Sequence, residues 1–193
     1  MATPNAFATA DLCDRFGDEA QVCRAPLRPW GGRSEAAGTI ACLRTFEDAA
    51  LVRAQLATPG EGRILVVDGG ASERVAILGD HMARLAIQNG WQGLVINGAV
   101  RDVGKLASMD LALWALGSVP VRGGGSGIGE CDIEVRFGGA VFTPGSFICL
   151  DRDGVVVLPK AAQGASTLSP SAERNQANVE SSSRPCSSAV MAR

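Results

Sequence analysis

Two short segments carry side chains that could bind a small anion or a metal ion: Asp80, and the pair Arg101-Asp102. An arginine presents a planar fork that can hold a carboxylate through two hydrogen bonds. An adjacent aspartate offers hard oxygen ligands for Mg²⁺ or Mn²⁺, which usually keep several of their waters. An isolated Arg-Asp pair most often lies in a solvated surface loop and binds nothing. Its position in the fold therefore has to decide between a binding site and an ordinary surface loop.

The segments around these residues predict a crossover unit. Residues 63–68 form a continuous aliphatic and β-branched run, typical of a strand buried on both faces, which Gly69-Gly70 is expected to end. Residues 80–89 have helical periodicity. Residues 93–96 predict a second buried strand, with Asn97-Gly98 as its end. This order of strand, helix and strand predicts an α/β fold with an at least partly parallel sheet.

The predicted crossover places the charged residues where ligands commonly bind in α/β proteins, beyond the carboxyl ends of the strands. The helix start Gly79-Asp80-His81-Met82 presents N–H groups and a positive dipole end to an anion. A small carboxylate bound there would also meet Arg101. The alternative for Asp80 is structural, because a carboxylate at a helix start can cap the free N–H groups of the first turn.

The remaining segments complete a mixed pattern. Helices are predicted at residues 9–16 and 47–56, and strands at 38–43, 119–121, 133–137, 140–142, 147–150 and 155–158. From residue 161 the sequence is rich in Ser, Ala, Asn and Gln and has no sustained apolar period. We therefore expect one domain over residues 1–160, followed by a disordered tail over residues 161–193.

A glycine cluster at residues 123–129 invites comparison with phosphate-binding loops. It lacks the Gly-Lys-Ser/Thr of a P-loop, and it leads into a predicted strand, whereas a dinucleotide-binding loop opens a helix. These two departures favour a flexible or tightly packed loop.

Composition argues against several kinds of protein. A net charge of −2 gives no reason to expect nucleic acid or an anionic membrane as a partner. The six cysteines contain no Cys-x-x-Cys pair and the chain has one histidine, so a zinc site built from these residues is not expected. The N-terminus lacks the pattern of a secretory signal and no apolar run reaches about 20 residues, so we expect a cytoplasmic protein.

The spacing of the charged residues, Asp80-x20-Arg101-Asp102, resembles the motif of 4-hydroxy-4-methyl-2-oxoglutarate aldolases. Other segments resemble short-form members of the same RraA-like (regulator of ribonuclease activity A) family: Trp30-Gly31-Gly32-Arg33, residues 62–70, residues 91–96, Gly127-Ile128-Gly129-Glu130 and Phe137-Gly138-Gly139. The resemblance runs from about residue 9 to residue 160. One departure is Pro144-Gly145-Ser146, where the family usually has Pro-Gly-Asp.

This resemblance implies a fold, a reaction and an assembly. The fold is a layered β/β/α sandwich, similar to swivelling domains, around a partly parallel sheet. The reaction is cleavage of 4-hydroxy-4-methyl-2-oxoglutarate-type 2-oxo acids to pyruvate by a divalent-metal-dependent lyase, with decarboxylation of oxaloacetate through a shared pyruvate enolate. The assembly is a homotrimer or hexamer with sites near the subunit interfaces.

The resemblance also implies a role for each site residue. Asp102 ligates Mg²⁺ or Mn²⁺, and Asp80 holds a metal-bound water. Arg101 and the N–H groups of residues 79–82 bind the carboxylate of the 2-oxo acid. Lys105 lies nearby, but a metal route needs no Schiff base. The alternative function is a non-catalytic regulator that binds and inhibits ribonuclease E. Regulators of the family lack the acidic metal-site residues, and both acids are present here.

Overall fold

A computed structural model of the chain describes residues 8–159, so the tail predicted for residues 161–193 lies outside the described residues. The helices are α1 (Thr9–Phe16), α2 (Ala50–Leu56), α3 (Asp80–Gln88) and α4 (Val103–Leu106). The strands are β1 (Gln21–Val22), β2 (Arg28–Pro29), β3 (Ala36–Thr45), β4 (Ile64–Leu78), β5 (Gly93–Val100), β6 (Ala112–Ser118), β7 (Gly129–Cys131), β8 (Val135–Phe137), β9 (Ala140–Phe142), β10 (Phe147–Leu150) and β11 (Val155–Leu158).

Four consecutive strands, β3 to β6, lie side by side and parallel, and α2, α3 and α4 connect each one to the next. All three helices contribute to a single apolar cluster with these strands. They share one face of the sheet because strand order follows chain order and parallel crossovers are right-handed. The predicted α/β class, the crossover unit and the partly parallel sheet are therefore confirmed.

The opposite face of the parallel strands is covered by antiparallel elements. The hairpin of β8 and β9 packs there with β10 and β11, and β10 pairs with β3 to continue the sheet. Helix α1 packs through Leu12 against Cys149 and Val156 on the outer side. Since both faces of β5 are covered, all eight of its residues are buried, which explains its apolar sequence.

Two predicted strand ends are wrong. Strand β5 continues through Asn97-Gly98, because the Asn97 side chain is buried in the sheet and donates a 2.9 Å hydrogen bond to Asp68 Oδ1. Strand β4 continues past Gly69-Gly70 to Leu78, with register shifts after Asp68. The extension matters for function because it places the true end of β4 directly before Gly79.

Other boundaries also differ from the predictions. Helix α2 begins at Ala50 rather than at residue 47, because Glu47 has a left-handed backbone with φ of 55°. The strand predicted at residues 119–121 is absent; the strand in this region is β6, and Pro120 lacks an N–H for a sheet. No helix within residues 8–159 is long and apolar enough to span a bilayer.

Candidate active site

The register of the parallel sheet brings the two predicted segments together. Leu78, the last residue of β4, pairs with Val100, the last residue of β5. The pairing continues for one more residue, since the Arg101 N–H donates to the Leu78 carbonyl at 3.0 Å. The next residues along each strand are Gly79 and Asp102, so the loops after β4 and β5 lie in contact.

Asp102 has a backbone and a side chain that are unusual for a helix start. Its φ of 60° and ψ of 34° are left-handed, which costs about 1 kcal/mol or more for a residue other than glycine. It is the N-cap of α4, yet its side chain caps no N–H of that helix. Oδ2 instead lies 3.4 Å from Arg101 Nε and 3.4 Å from the Asp80 N–H, with 31% of the side chain exposed. The carboxylate is thus available to a ligand.

Gly79 allows this arrangement because it has no side chain. A Cβ added at this position would lie 2.8 Å from Asp102 Oδ2 and 3.1 Å from Arg101 Cγ. Its backbone is extended, with φ of −144°, so the requirement for glycine comes from space and not from backbone conformation. The N-cap of α3 therefore determines where the Asp102 carboxylate can lie.

Asp80 is buried, and two cations contact its carboxylate. Arg84 Nη2 lies 2.5 Å from Oδ2 in an i,i+4 pair, and Lys105 Nζ lies 3.1 Å from the same oxygen. The hydrogen bond from Lys105, assisted by Arg84 and opposed by burial, lowers the pKa of Asp80 to about 2. Gly79 is the N-cap of α3 and no side chain caps that position, so the observed partners of Asp80 are cations rather than helix N–H groups.

The N–H groups at the start of α3 are partly used within the protein. The Met82 N–H donates to the Gly79 carbonyl at 3.1 Å, and the Asp80 N–H points to Asp102 at 3.4 Å. The anion site predicted from residues 79–82 therefore has fewer donors than the sequence suggested. Arg101, with 37% of its side chain exposed, is the stronger candidate for binding a carboxylate.

All six predicted site residues line one cleft of about 900 Å³: Gly79, Asp80, His81, Met82, Arg101 and Asp102. Three further arginines, Arg53, Arg84 and Arg122, line the same cleft and were not predicted. The i,i+4 spacing from Asp80 was the available signal for Arg84. No pattern in the sequence indicated Arg53. Arg122 was not predicted because the segment before it, residues 119–121, was wrongly predicted as a strand.

The glycine cluster forms a tightly held loop at this cleft. Buried Asp48 accepts hydrogen bonds on Oδ2 from the N–H groups of Ser126 and Gly127, and on Oδ1 from the Ala50 N–H at the start of α2. Burial alone would raise the pKa of Asp48, but these backbone hydrogen bonds outweigh it and lower the pKa. The loop is thus held to α2 through one carboxylate.

A family model described as Aldolase/RraA matches residues 9–157. The chain belongs to the RraA-like family. Relatives in this family include proteins from Laribacter hongkongensis and Aromatoleum aromaticum that are named "Putative 4-hydroxy-4-methyl-2-oxoglutarate aldolase". The first is 45% identical over 79% of this chain and 96% of its own length. The second is 46% identical over 78% of this chain and 95% of its own length.

Solved structures of the family share the fold. A Geobacillus kaustophilus protein described as an S-adenosylmethionine:2-dimethylmenaquinone methyltransferase is 44% identical, with a TM-score of 0.78, and covers 80% of this chain and 96% of its own. The RNA-processing inhibitor RraA of a Thermus species is 40% identical, with a TM-score of 0.77, over 80% and 93% of the chains. Because relatives on one fold have such different names, the chemistry has to be argued from the site.

Proposed function

We propose that this protein is a divalent-metal-dependent carbon–carbon lyase that cleaves 4-hydroxy-4-methyl-2-oxoglutarate-type 2-oxo acids to pyruvate and also decarboxylates oxaloacetate. The observation that carries the proposal is the Asp102 carboxylate, which leaves its own helix uncapped and lies in a cleft between Arg101 and the Asp80 N–H. The names of relatives at 45% and 46% identity support the same substrate.

The side chains of the cleft suit Mg²⁺ or Mn²⁺, which keep several waters, better than they suit a metal ion whose ligands all come from the protein. Within residues 8–159, no three His, Cys, Asp or Glu side chains converge to form a site. Mg²⁺ typically takes one or two carboxylates and completes its shell with water and substrate. Asp102 would hold the ion, and Asp80 would hold one of its waters. When bound, such an ion supplies a Lewis acid at the 2-oxo group.

The cationic side chains of the cleft would bind the substrate and stabilise its charge. Arg101 would hold the carboxylate next to the 2-oxo group, which places that group beside Asp102. Breaking the C3–C4 bond turns the C4 hydroxyl into a carbonyl, with its proton passing to water, and leaves the electron pair on the pyruvate fragment. Decarboxylation of oxaloacetate releases CO₂ and leaves the same charge on that fragment. Fixed positive groups around the cleft favour that developing charge.

Asp80 suits an orienting role better than proton abstraction. With its pKa lowered to about 2, first by the hydrogen bond from Lys105, the carboxylate is ionised at neutral pH and is a weak base. A general base works best when its pKa lies near the working pH. We therefore propose that Asp80 accepts a hydrogen bond from a water molecule and fixes its position, while Arg84 and Lys105 fix Asp80.

The test is pyruvate release from 4-hydroxy-4-methyl-2-oxoglutarate and from oxaloacetate, with Mg²⁺, with EDTA, and with Asp102→Ala. We expect turnover that EDTA removes and that the substitution lowers on the order of 10³-fold, since it deletes the carboxylate that would hold the ion. Glu130→Gln, which removes an exposed carboxylate outside the cleft, is the control and should retain turnover. Absence of turnover in folded, metal-loaded protein would refute the lyase.

A second candidate function is inhibition of RNA processing, which the Thermus relative at 40% identity favours. A regulator that binds ribonuclease E needs neither the metal nor Asp102. Inhibition of ribonuclease E that persists with EDTA and with Asp102→Ala, in a protein without lyase turnover, would support this alternative.

A further inference from the structure

We propose that Arg122, together with Arg53, forms a second carboxylate subsite in the cleft, and that this subsite makes the enzyme selective for dicarboxylic 2-oxo acids. The inference rests on the proposed lyase function, because it assigns the far end of the substrate whose 2-oxo end lies at Arg101 and Asp102.

The charge balance of the cleft is the first argument. Among residues 8–159, four arginines line it, but only two aspartates, Asp80 and Asp102, do so. Asp80 contacts Arg84 and Lys105, and Asp102 contacts Arg101. Within residues 8–159, the two remaining arginines form no ion pair. The cleft therefore has a surplus of positive charge in a chain whose net charge is −2.

The backbone of Arg122 is held at the site, which is the second argument. The Ala76 N–H donates to the Val121 carbonyl at 2.7 Å, and the Gly123 N–H donates to the Ala76 carbonyl at 2.9 Å. These bonds fix Arg122 from both sides against β4, close to where that strand leads into Gly79. A Cβ on Gly123 would lie 2.9 Å from the Glu47 carbonyl, so the chain has little freedom to move there.

Arg53 belongs to the same fixed unit. It lies one turn into α2, and its N–H donates to the Ala49 carbonyl at 3.0 Å. The Ala49 N–H in turn donates to the Gly124 carbonyl at 2.9 Å. The start of α2 and the loop that follows Arg122 are thus bonded to each other, and both arginines line the same cleft.

The chemistry of the substrate supplies the third argument. 4-Hydroxy-4-methyl-2-oxoglutarate has a carboxylate at each end, and one end is assigned to Arg101. The other carboxylate would remain in the cleft without a partner unless a cation met it. A guanidinium binds a carboxylate through parallel hydrogen bonds, and losing one such charge-assisted contact typically weakens binding by about 10–100-fold.

The test compares two substrates that differ only at the far end. In 4-hydroxy-4-methyl-2-oxopentanoate a methyl group replaces the distal carboxylate, and retro-aldol cleavage gives pyruvate and acetone. We expect Arg122→Gln to lower kcat/KM for the dicarboxylate about 10–100-fold, mainly through KM, and to leave the value for the monocarboxylate within about 2-fold. Arg53→Gln should act in the same direction, and Arg122→Lys should recover part of the loss.

Arg152→Gln is the matched control, because it removes an exposed arginine in the turn between β10 and β11, outside the cleft. It should change neither substrate. An equal loss on both substrates with Arg122→Gln would overturn the subsite, since it would show a general effect on the 2-oxo end or on folding. No loss on either substrate would overturn it as well.

Failure of the lyase proposal can be told apart from failure of the subsite by measuring binding. If the wild-type protein releases no pyruvate, titration calorimetry with 2-oxoglutarate and with 2-oxobutyrate in the presence of Mg²⁺ tests the subsite without turnover. Tighter binding of the dicarboxylate that disappears in Arg122→Gln supports it. Equal binding of the two acids by the wild-type protein overturns it.

Discussion

Two cavities of this protein differ in how their charges are balanced. The cleft at Asp102 has a volume of about 900 Å³. Another cavity, here called the second pocket, has a volume of about 420 Å³ and contains the exposed side chains of Phe46 and Ile128. In the second pocket Arg44 lies 3.6 Å from a carboxylate oxygen of Asp68 and 3.6 Å from one of Glu130. One arginine there contacts two carboxylates, so the ionic residues of the second pocket carry a net negative charge.

This difference in charge indicates which of the two cavities would bind an anionic ligand. Among the described residues, the second pocket has one more carboxylate than it has cations, so it would repel an anionic ligand. The cleft has more cations than carboxylates, and an anionic substrate would neutralise the surplus. Cavity geometry alone does not make this distinction, because both cavities lie at the ends or irregular parts of the same parallel strands.

The largest effect is expected when one aspartate in each cavity is replaced by asparagine and the two variants are compared. Asp80→Asn in the cleft removes the charge that Arg84 and Lys105 contact, and we expect pyruvate release to fall about 10–100-fold, as for other groups that orient metal-site ligands. Asp68→Asn in the second pocket also removes a carboxylate beside an arginine, and turnover should stay within about 2-fold of wild type. If Asp80→Asn and Asp68→Asn lose the same amount of turnover in steady-state assays, the proposed difference between the two cavities is wrong.

The same substitution makes a prediction about pH. The pKa of Asp80 is lowered from 3.8 to about 2, chiefly by the hydrogen bond from Lys105, so its contribution to stability is complete above its ordinary pKa and is lost as the pH falls through about 2. The difference in unfolding free energy between wild type and Asp80→Asn should be constant above about pH 5 and shrink in acid. An inflection of kcat/KM between about pH 5 and pH 8 that disappears in Asp80→Asn would contradict this assignment.

Much of the site could be predicted from the sequence, because one crossover unit determines it. A strand, a helix and a strand place residues 79–82 and Arg101-Asp102 at the same edge whatever the rest of the fold does. The strand ends were harder to predict, because Asn97 is satisfied by Asp68 on the neighbouring strand. Local pattern cannot show such a contact between residues distant in sequence.

Arg122 illustrates the same limit at the site itself. The sequence predicted a strand at residues 119–121, but the strand is β6, and Arg122 follows it in an irregular segment. Its neighbours Val121 and Gly123 form hydrogen bonds with Ala76, which is distant in sequence, so only the structure shows that Arg122 lines the cleft. The acids of the site were thus predictable from spacing, whereas the surplus of arginines was not.

A smaller effect should come from filling the space beside the Asp102 carboxylate. Gly79→Ala puts a methyl group 2.8 Å from Asp102 Oδ2, so the carboxylate must move. We expect about a 10-fold weaker apparent affinity for Mg²⁺ in metal titrations of turnover, with little loss of fold because the backbone is extended. Gly104→Ala, in the adjacent helix α4, is the control, because a Cβ there meets no atom of residues 8–159 within 4 Å. It should leave the metal titration unchanged and raise stability by about 0.5–1 kcal/mol.

The smallest effect concerns the wall of the cleft. Asp48→Asn keeps the shape of the side chain but replaces a charged acceptor of the Ser126 and Gly127 N–H groups. We expect the free energy of unfolding to fall by about 1 kcal/mol in urea titrations at neutral pH. Because the backbone hydrogen bonds outweigh burial and lower the pKa of Asp48, the difference from wild type should diminish as the pH falls below its ordinary value.

Asp110→Asn is the control for this last substitution, since the Asp110 side chain is 89% exposed and lies 3.8 Å from Arg33. A surface pair of this kind contributes little, so its loss should be close to neutral. If Asp48→Asn proves equally neutral, the glycine loop is held by packing of the kind seen at Gly123 and not by the carboxylate. The position of Arg122 would then depend on the hydrogen bonds that Val121 and Gly123 form with Ala76, and Arg53 and Arg122 could not be treated as one unit.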